Sequence, residues 1–309
     1  MIRIFLILFP VLTVLANAQV PAEKEGKVMN DKVFVCNGAG RWFPADPAEL
    51  KDMVDSFLEK AKSVSANPLA VVSPHAGFIY SGSGAGESYK VLQGKDFRRV
   101  IIIGPSHSRG FRGISVLKGY THYETPLGQV KIDEAGTAAL LKEKHFLFDL
   151  AAHRPEHSVE NQIPFIQRAL PKAEIIACVV GFMDTADMDE AGKSIAKLLD
   201  GKTVIAVSSD FTHYGQSFDF TPFTKDIRKN LEKLDNGAVK DIEKDDGAAF
   251  NGYVEKTGAT ICGRNAIGVM LYALSGKAKG RLLKYYTSSD DSGDFSHTVC
   301  YASIVMEKK

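Results

Sequence analysis

Short apolar runs rich in branched residues alternate along this chain with longer stretches whose apolar positions recur every three or four residues. The first pattern predicts strands at 69–73, 99–104, 113–117, 173–180, 203–208, 282–288 and 298–306. The second predicts helices at 47–63, 84–92, 134–143, 159–169, 185–199, 225–234, 237–244, 247–256 and 263–274. Strands that alternate with helices specify an α/β fold with a substantially parallel sheet. The last two strands follow one another with no helix between them, so the expected sheet is mainly parallel or mixed, flanked by helices. No internal repeat and no Ser/Gly/Pro linker interrupts the pattern, which points to a single domain.

The start of the chain reads differently. "MIRIFLILFPVLTVLANAQ" has one early basic residue, an apolar core and a small-x-small site at Ala16-Asn17-Ala18. A membrane helix needs about 20 apolar residues; this run is shorter, holds Pro10, and is followed by the polar "QVPAEKEGK". The expectation is a signal peptide at 1–18, a short N-terminal segment at 19–30, the α/β domain at 31–309, and export to the periplasm or the exterior, with no membrane attachment after cleavage.

Charge adds an exclusion. The 38 basic and 37 acidic residues nearly cancel, so no broad field favours nucleic acid or anionic lipid. There is no dinucleotide fingerprint and no P-loop, so neither NAD nor ATP is expected. Four cysteines in an exported chain raise the question of disulfides. Cys178 in "EIIACVVGF" and Cys300 in "HTVCYASIV" sit in apolar strand runs and read as buried thiols. Cys36 is undecided on its context. Cys262, in "TGATICGRNAIG", stands where a loop gives way to an apolar helix.

The polar residues with chemical potential fall at strand ends. "LAVVSPHAGFIYSG", "RRVIIIGPSHSRG" and "TVIAVSSDFTHYG" each run from a branched strand into a Ser-containing turn with a histidine. Ligands of open α/β sheets bind outside the carboxyl ends of the strands, so His75, His107 and the Asp210/His213 pair would meet there if their strands are neighbours. Two readings stay open for each. His75 and His107 are either turn histidines bonded to backbone or imidazole ligands of a shared metal. Asp210 is either an N-cap or the partner of an acid/base His213. Cys262 is a third metal ligand, or a nucleophile served by His213 and Asp210, or a small buried side chain.

Further polar positions carry less. In "EHSVENQIPFIQ", Ser158 reads as an N-cap, with His157 and Glu160 able to face the crevice. His122, His145 and His153 have no partner pattern and are expected at the surface; His297 is unassigned. "RWFPAD" and "YYTSSDDSGDFSH" would wall a pocket or simply pack and turn.

Taken in order, "SPHAGFIYSG", "IIIGPSHS", "ETPLGQVKID", "EHSVENQIPFIQ", "SSDFTHYG", "TICGRNAIG" and "YYTSSDDSGD" resemble the MEMO family, which includes proteins called AmmeMemoRadiSam system protein B. The resemblance runs from about Ala39 to the end of the chain. It implies a fold similar to that of class III extradiol dioxygenases. It also implies one metal ion held by His75, His107 and Cys262, with Asp210 and His213 as the acid/base pair. In those dioxygenases a glutamate stands where Cys262 does, a set suited to ferrous iron; a thiolate shifts preference toward copper or zinc while still permitting iron. The expectation that follows is an iron- or copper-dependent oxidoreductase, zinc being the other candidate, acting on a small molecule or dioxygen. A non-catalytic metal- or partner-binding module and a Cys/His hydrolase are the alternatives. No particular protein partner is implied.

Overall fold

The two periodicities resolve into one layered domain core in the computed structural model, which describes residues 33–62 and 66–309. The expected signal peptide at 1–18 and the segment at 19–30 lie outside the described residues. In chain order the strands are β1 (Val33–Val35), β2 (Pro68–Ser73), β3 (Arg99–Pro105), β4 (Ile114–Val116), β5 (His122–Thr125), β6 (Gly128–Lys131), β7 (Phe146–Leu147), β8 (Glu174–Val180), β9 (Thr203–Ser208), β10 (His213–Gly215), β11 (Ala278–Thr287) and β12 (His297–Lys308). The helices are α1 (Pro47–Lys60), α2 (Phe78–Lys90), α3 (Glu134–Leu140), α4 (Leu150–His153), α5 (Ile163–Ala169), α6 (Thr185–Ala196), α7 (Ile227–Glu243), α8 (Gly247–Thr257) and α9 (Arg264–Leu274).

The main sheet runs β10-β12-β2-β9-β3-β8-β4-β7, with β11 paired on β12. Its centre, β2-β9-β3-β8, is parallel. β12 joins β2 and β4 joins β8 antiparallel, so the sheet is mixed, as expected from the two consecutive final strands. Side-chain alternation sends Val72, Ile101, Ile103, Ile205 and Val207 to one face, under α6 to α9. Val71, Val100, Ile102, Val204 and Ala206 go to the other, under α1, α2 and α5. Both faces of the central strands are covered, which is why those strands read as continuous apolar runs. Complete burial of each such side chain contributes about 1.5–3 kcal/mol.

Three departures from the sequence pattern have physical reasons. α2 begins at Phe78 rather than at 84. Its glycines argue against a helix, but Gly82 and Gly86 lie against Phe57 of α1, where a Cβ at Gly86 would meet the Phe57 carbonyl at 2.6 Å. Close helix packing outweighs the propensity cost of about 1 kcal/mol per glycine. The break expected at Asp235-Asn236 is absent, and α7 is continuous. Its buried Leu231, Ala238, Val239 and Ile242 keep one apolar face across that point. The short β1, β5 and β6 form a separate three-stranded sheet; strands of three or four residues leave no readable period.

His153 is also a correction, because it is 4 % exposed rather than on the surface. Its Nε2 lies 3.0 Å from Ser115 Oγ, and burial lowers its pKa to about 4. An imidazole whose folded pKa is depressed contributes stability that is present above about 6.5, its unfolded value, and is lost as pH falls toward 4. The full swing is about 3 kcal/mol. Urea denaturation at pH 7 and pH 4.5 should therefore show a larger acid loss for the natural chain than for His153→Gln; equal losses would remove His153 as the source.

Candidate metal centre

β9 lies between β2 and β3 in the sheet, so the condition for convergence is met. The turns after β2 and β3 carry His75 and His107, and the turn after β9 carries Asp210 and His213. Cys262 reaches the same place from the α8–α9 connection, two residues before α9 starts. His75, His107 and Cys262 form a group that could hold a metal ion, their donor atoms all lying within 4.8 Å of one another. Donors about 2.0–2.3 Å from a tetrahedral ion lie about 3.3–3.8 Å apart, so the three would close by no more than about 1.5 Å.

The hydrogen bonds behind the two imidazoles fix which nitrogen is free. Ser208 Oγ donates to the carbonyl of Ser158 at 2.6 Å, so its 2.7 Å contact with His75 Nδ1 makes that nitrogen the donor. His75 Nε2 is left with its lone pair and faces Cys262 Sγ at 3.3 Å. His107 Nδ1 likewise donates to Glu156 Oε1 at 2.9 Å. An imidazole whose second nitrogen donates to a fixed acceptor is an oriented and more basic ligand. The donor set therefore fits a metal ion before one arrives.

Glu156 is the site residue that the motif reading missed. It is 2 % exposed. Besides the His107 ring it accepts the backbone N–H of His107, at 2.6 Å, and those of His157 and Ser158. Burial alone would raise its carboxyl; the His107 hydrogen bond and charge, with the backbone donors, outweigh that and hold it at about 2. It is therefore an anion at neutral pH. Glu156→Gln should weaken metal binding about 10–100-fold, as read by competition with a chromophoric chelator. An unchanged affinity would mean that His107 needs no orienting partner.

The remaining candidates divide. Asp210 is buried and its Oδ1 accepts His75 N–H at 2.7 Å, so it holds the ligand turn. Burial raises its carboxyl. It does not hold His213 by a hydrogen bond: His213 Nδ1 donates to the carbonyls of Phe211 at 2.9 Å and Thr260 at 3.1 Å. That corrects the expectation of an Asp210-oriented imidazole and leaves His213 Nε2 as the lone-pair nitrogen. The imidazole within reach of Cys262 Sγ is His75, and the Asp210 N–H donates to the sulfur at 3.3 Å. Burial, then the Asp210 charge, push the Cys262 thiol well above its ordinary value, so without a cation the sulfur keeps its proton. Ser158 does not cap a helix; its hydroxyl donates to Pro105 O.

His157 and Trp42 join the site as a stack. Their rings lie 3.9 Å apart at 7°, and the His157 ring is 4.7 Å from that of His107. Burial, then the charges of His75 and His107, lower His157 to about 3, so it is neutral. Glu160 turns away from the metal ligands. It accepts the N–H groups of Asn37 and Gly38 and the Tyr123 hydroxyl, and so anchors the N-terminal loop. All four cysteines are free.

The comparisons with known proteins agree over most of the chain. A family model described as Memo-like protein matches residues 36–305. A MEMO1 family protein of Methanopyrus kandleri is 32% identical over 287 residues, spanning 87% of this chain and 97% of its own. The human Protein MEMO1 is 32% identical over 280 residues, 86% of this chain and 94% of its own. The Caenorhabditis elegans memo-1 homolog is 31% identical over 283 residues, 87% and 81% respectively. An uncharacterized protein from Escherichia coli K12, known as a crystal structure, has a TM-score of 0.52 at 11% identity, covering 76% of this chain and 98% of that one. That likeness concerns the fold alone.

Proposed function

The chain belongs to the Memo-like protein family, and from that membership and its donor set we propose that it is an iron- or copper-dependent redox protein. The observation that carries the reading is the meeting of two oriented imidazole nitrogens and a sulfur within 4.8 Å. Imidazole and thiolate together suit iron, copper and zinc. A bound iron or copper ion would supply Lewis acidity and one-electron chemistry.

The protein's own groups supply the rest. His75 and His107 would hold the ion through Nε2, with Ser208 and Glu156 fixing their Nδ1–H groups. Cys262 would hold the ion as the thiolate, since a bound cation favours loss of the thiol proton. Asp210 keeps the His75 turn in place through the backbone N–H. His213, anchored by two carbonyls, takes a proton from a small-molecule substrate at Nε2. Asp210 is near enough for the His213 charge to favour its ionised form, and it balances the imidazolium that results.

Oxygen uptake tests this. Protein loaded with ferrous or cuprous ion should consume oxygen, in the presence of a reducing small molecule, faster than the free ion does. A rate no higher than that of the free ion across such compounds, with the metal retained, would overturn the redox reading in favour of a metal-binding module. We also propose that the protein acts after export, on the strength of the apolar run at 4–15 and the Ala16-Asn17-Ala18 site. N-terminal sequencing of the protein from its native cells should then begin at Gln19; a start at Met1 would contradict it.

A further inference from the structure

The sheet has a second end, away from the metal centre, where β2 and β9 begin and α6 and α9 finish. A groove of about 460 Å³ opens there, within the range that holds a small molecule. Its floor is apolar, with Leu69, Leu199, Ala273 and Leu274 along it. Leu69 and Leu199 pack against the core yet stay only partly buried, so a ligand lying on them would take further apolar surface out of water. The six residues of β9 separate this groove from the metal centre, a run of about 20 Å.

Charge at the rim selects a sign. Lys277, Lys308 and Lys309 line the groove, and no acidic side chain does. Lys309 Nζ donates to the Gly276 carbonyl at 2.8 Å. Among the described residues, the ammonium groups of Lys277 and Lys308 have no hydrogen-bond or ion-pair partner. The nearby carboxylates are engaged elsewhere: Asp200 with Arg99 and Thr203, Glu307 with Arg281, and Asp245 with the Ala278 N–H. The ends of α6 and α9 bring about half a negative charge each, which three ammonium groups outweigh. An apolar floor under a cationic rim complements an aliphatic chain with one anionic head. An uncharged chain would leave the rim unused, and a cationic one would be repelled by it.

We propose that this groove binds an aliphatic carboxylate of medium chain length, its tail on Leu69, Leu199 and Leu274 and its head among Lys277, Lys308 and Lys309. The binding needs no metal and stands apart from the redox reading.

Calorimetric titration of the purified protein with hexanoate, octanoate and decanoate, each below its micelle concentration, tests this. Saturable one-to-one binding is expected, tightening about fourfold with each added methylene. Octylammonium should bind at least about tenfold more weakly than octanoate. Lys277→Glu and Lys308→Glu, made together, should weaken octanoate at least about tenfold and leave 1-octanol unchanged. Both lysines are exposed, so the double variant keeps the fold. Arg109→Glu, beside the metal pocket, should leave octanoate binding as it was. No saturable binding of decanoate, or an affinity that does not grow with chain length, overturns the site. Octylammonium binding as tightly as octanoate, or octanoate indifferent to the two lysine changes, overturns the ligand class. Loss of octanoate with Arg109→Glu but not with the lysine variant puts the carboxylate at the metal pocket and overturns the proposal.

Discussion

The natural chain is expected to leave purification with near-stoichiometric iron or copper, and Cys262→Ala to leave it without. Replacing an outer partner of a metal ligand typically costs 10–100-fold in affinity, and removing the ligand itself costs more. Two histidines alone also form a much less selective site. The thiolate carries a further part of the effect: its negative charge partly neutralises the ion in a buried place, and alanine supplies none. In the metal-free state the substitution removes weak contacts, from Sγ to His75 Nε2 and the Asp210 N–H, each at 3.3 Å, and to the Asp210 carbonyl at 3.5 Å. Metal-free stabilities of the two proteins should therefore be close, within about 1 kcal/mol. With the ion at 100 times its dissociation constant, binding adds about 2.7 kcal/mol to the natural chain and far less to the variant. Metal content and melting with and without the ion separate the two effects. Equal metal in both proteins would sink the thiolate site, whereas a large metal-free destabilisation would show that Cys262 is a packing residue first.

Much of this centre was legible because it lies where the strand pattern is strongest. β2, β3 and β9 are buried on both faces and read as plain apolar runs, and the turns after them carry His75, His107 and Asp210 within a few residues of the strand ends. Cys262 was legible through the apolar helix that follows it. Residues whose roles depend on a distant loop were not. Glu156 reaches His107 across 49 positions, and an acidic residue before a histidine has no local signal. The Trp42–His157 stack joins the N-terminal loop to the segment before α5, which only the fold makes adjacent. The hydrogen bond expected between Asp210 and His213 is not made, for a related reason. Three residues apart suggests contact, but the carboxylate turned to the His75 backbone and carbonyls took the imidazole. Orphan N–H groups in buried turns need partners as much as side chains do, and sequence spacing does not reveal which donor wins.

Asp235→Ala is expected to destabilise the fold by about 3–5 kcal/mol, because several buried donors lose their acceptor together. Asp235 is fully buried on α7. Its Oδ1 accepts the Thr212 hydroxyl at 2.5 Å and the Thr212 N–H at 3.3 Å, and its Oδ2 accepts the Tyr285 hydroxyl at 2.8 Å. One carboxyl thus ties together α7, β11 and the turn that carries Asp210 and His213. Alanine leaves these donors facing an apolar gap, at about 1–3 kcal/mol for each group left unpaired. Asp235→Asn should lose much less. Its carbonyl oxygen can still accept from Thr212, and its amide can donate to the Tyr285 oxygen after that hydroxyl rotates. Burial raises the Asp235 carboxyl against the pull of those donors. A raised folded pKa means the carboxyl contributes stability fully below its unfolded value and loses it as pH rises through the folded one. The neutral amide escapes that loss, so the gap between the natural chain and Asp235→Asn should shrink as pH rises, while the deficit of Asp235→Ala stays large at every pH. Urea denaturation of the three proteins from pH 4.5 to pH 8 measures both quantities. An alanine variant within about 1 kcal/mol of the natural chain would mean that water replaces the carboxyl, and that the His213 turn is held by its own backbone contacts with Thr260 instead.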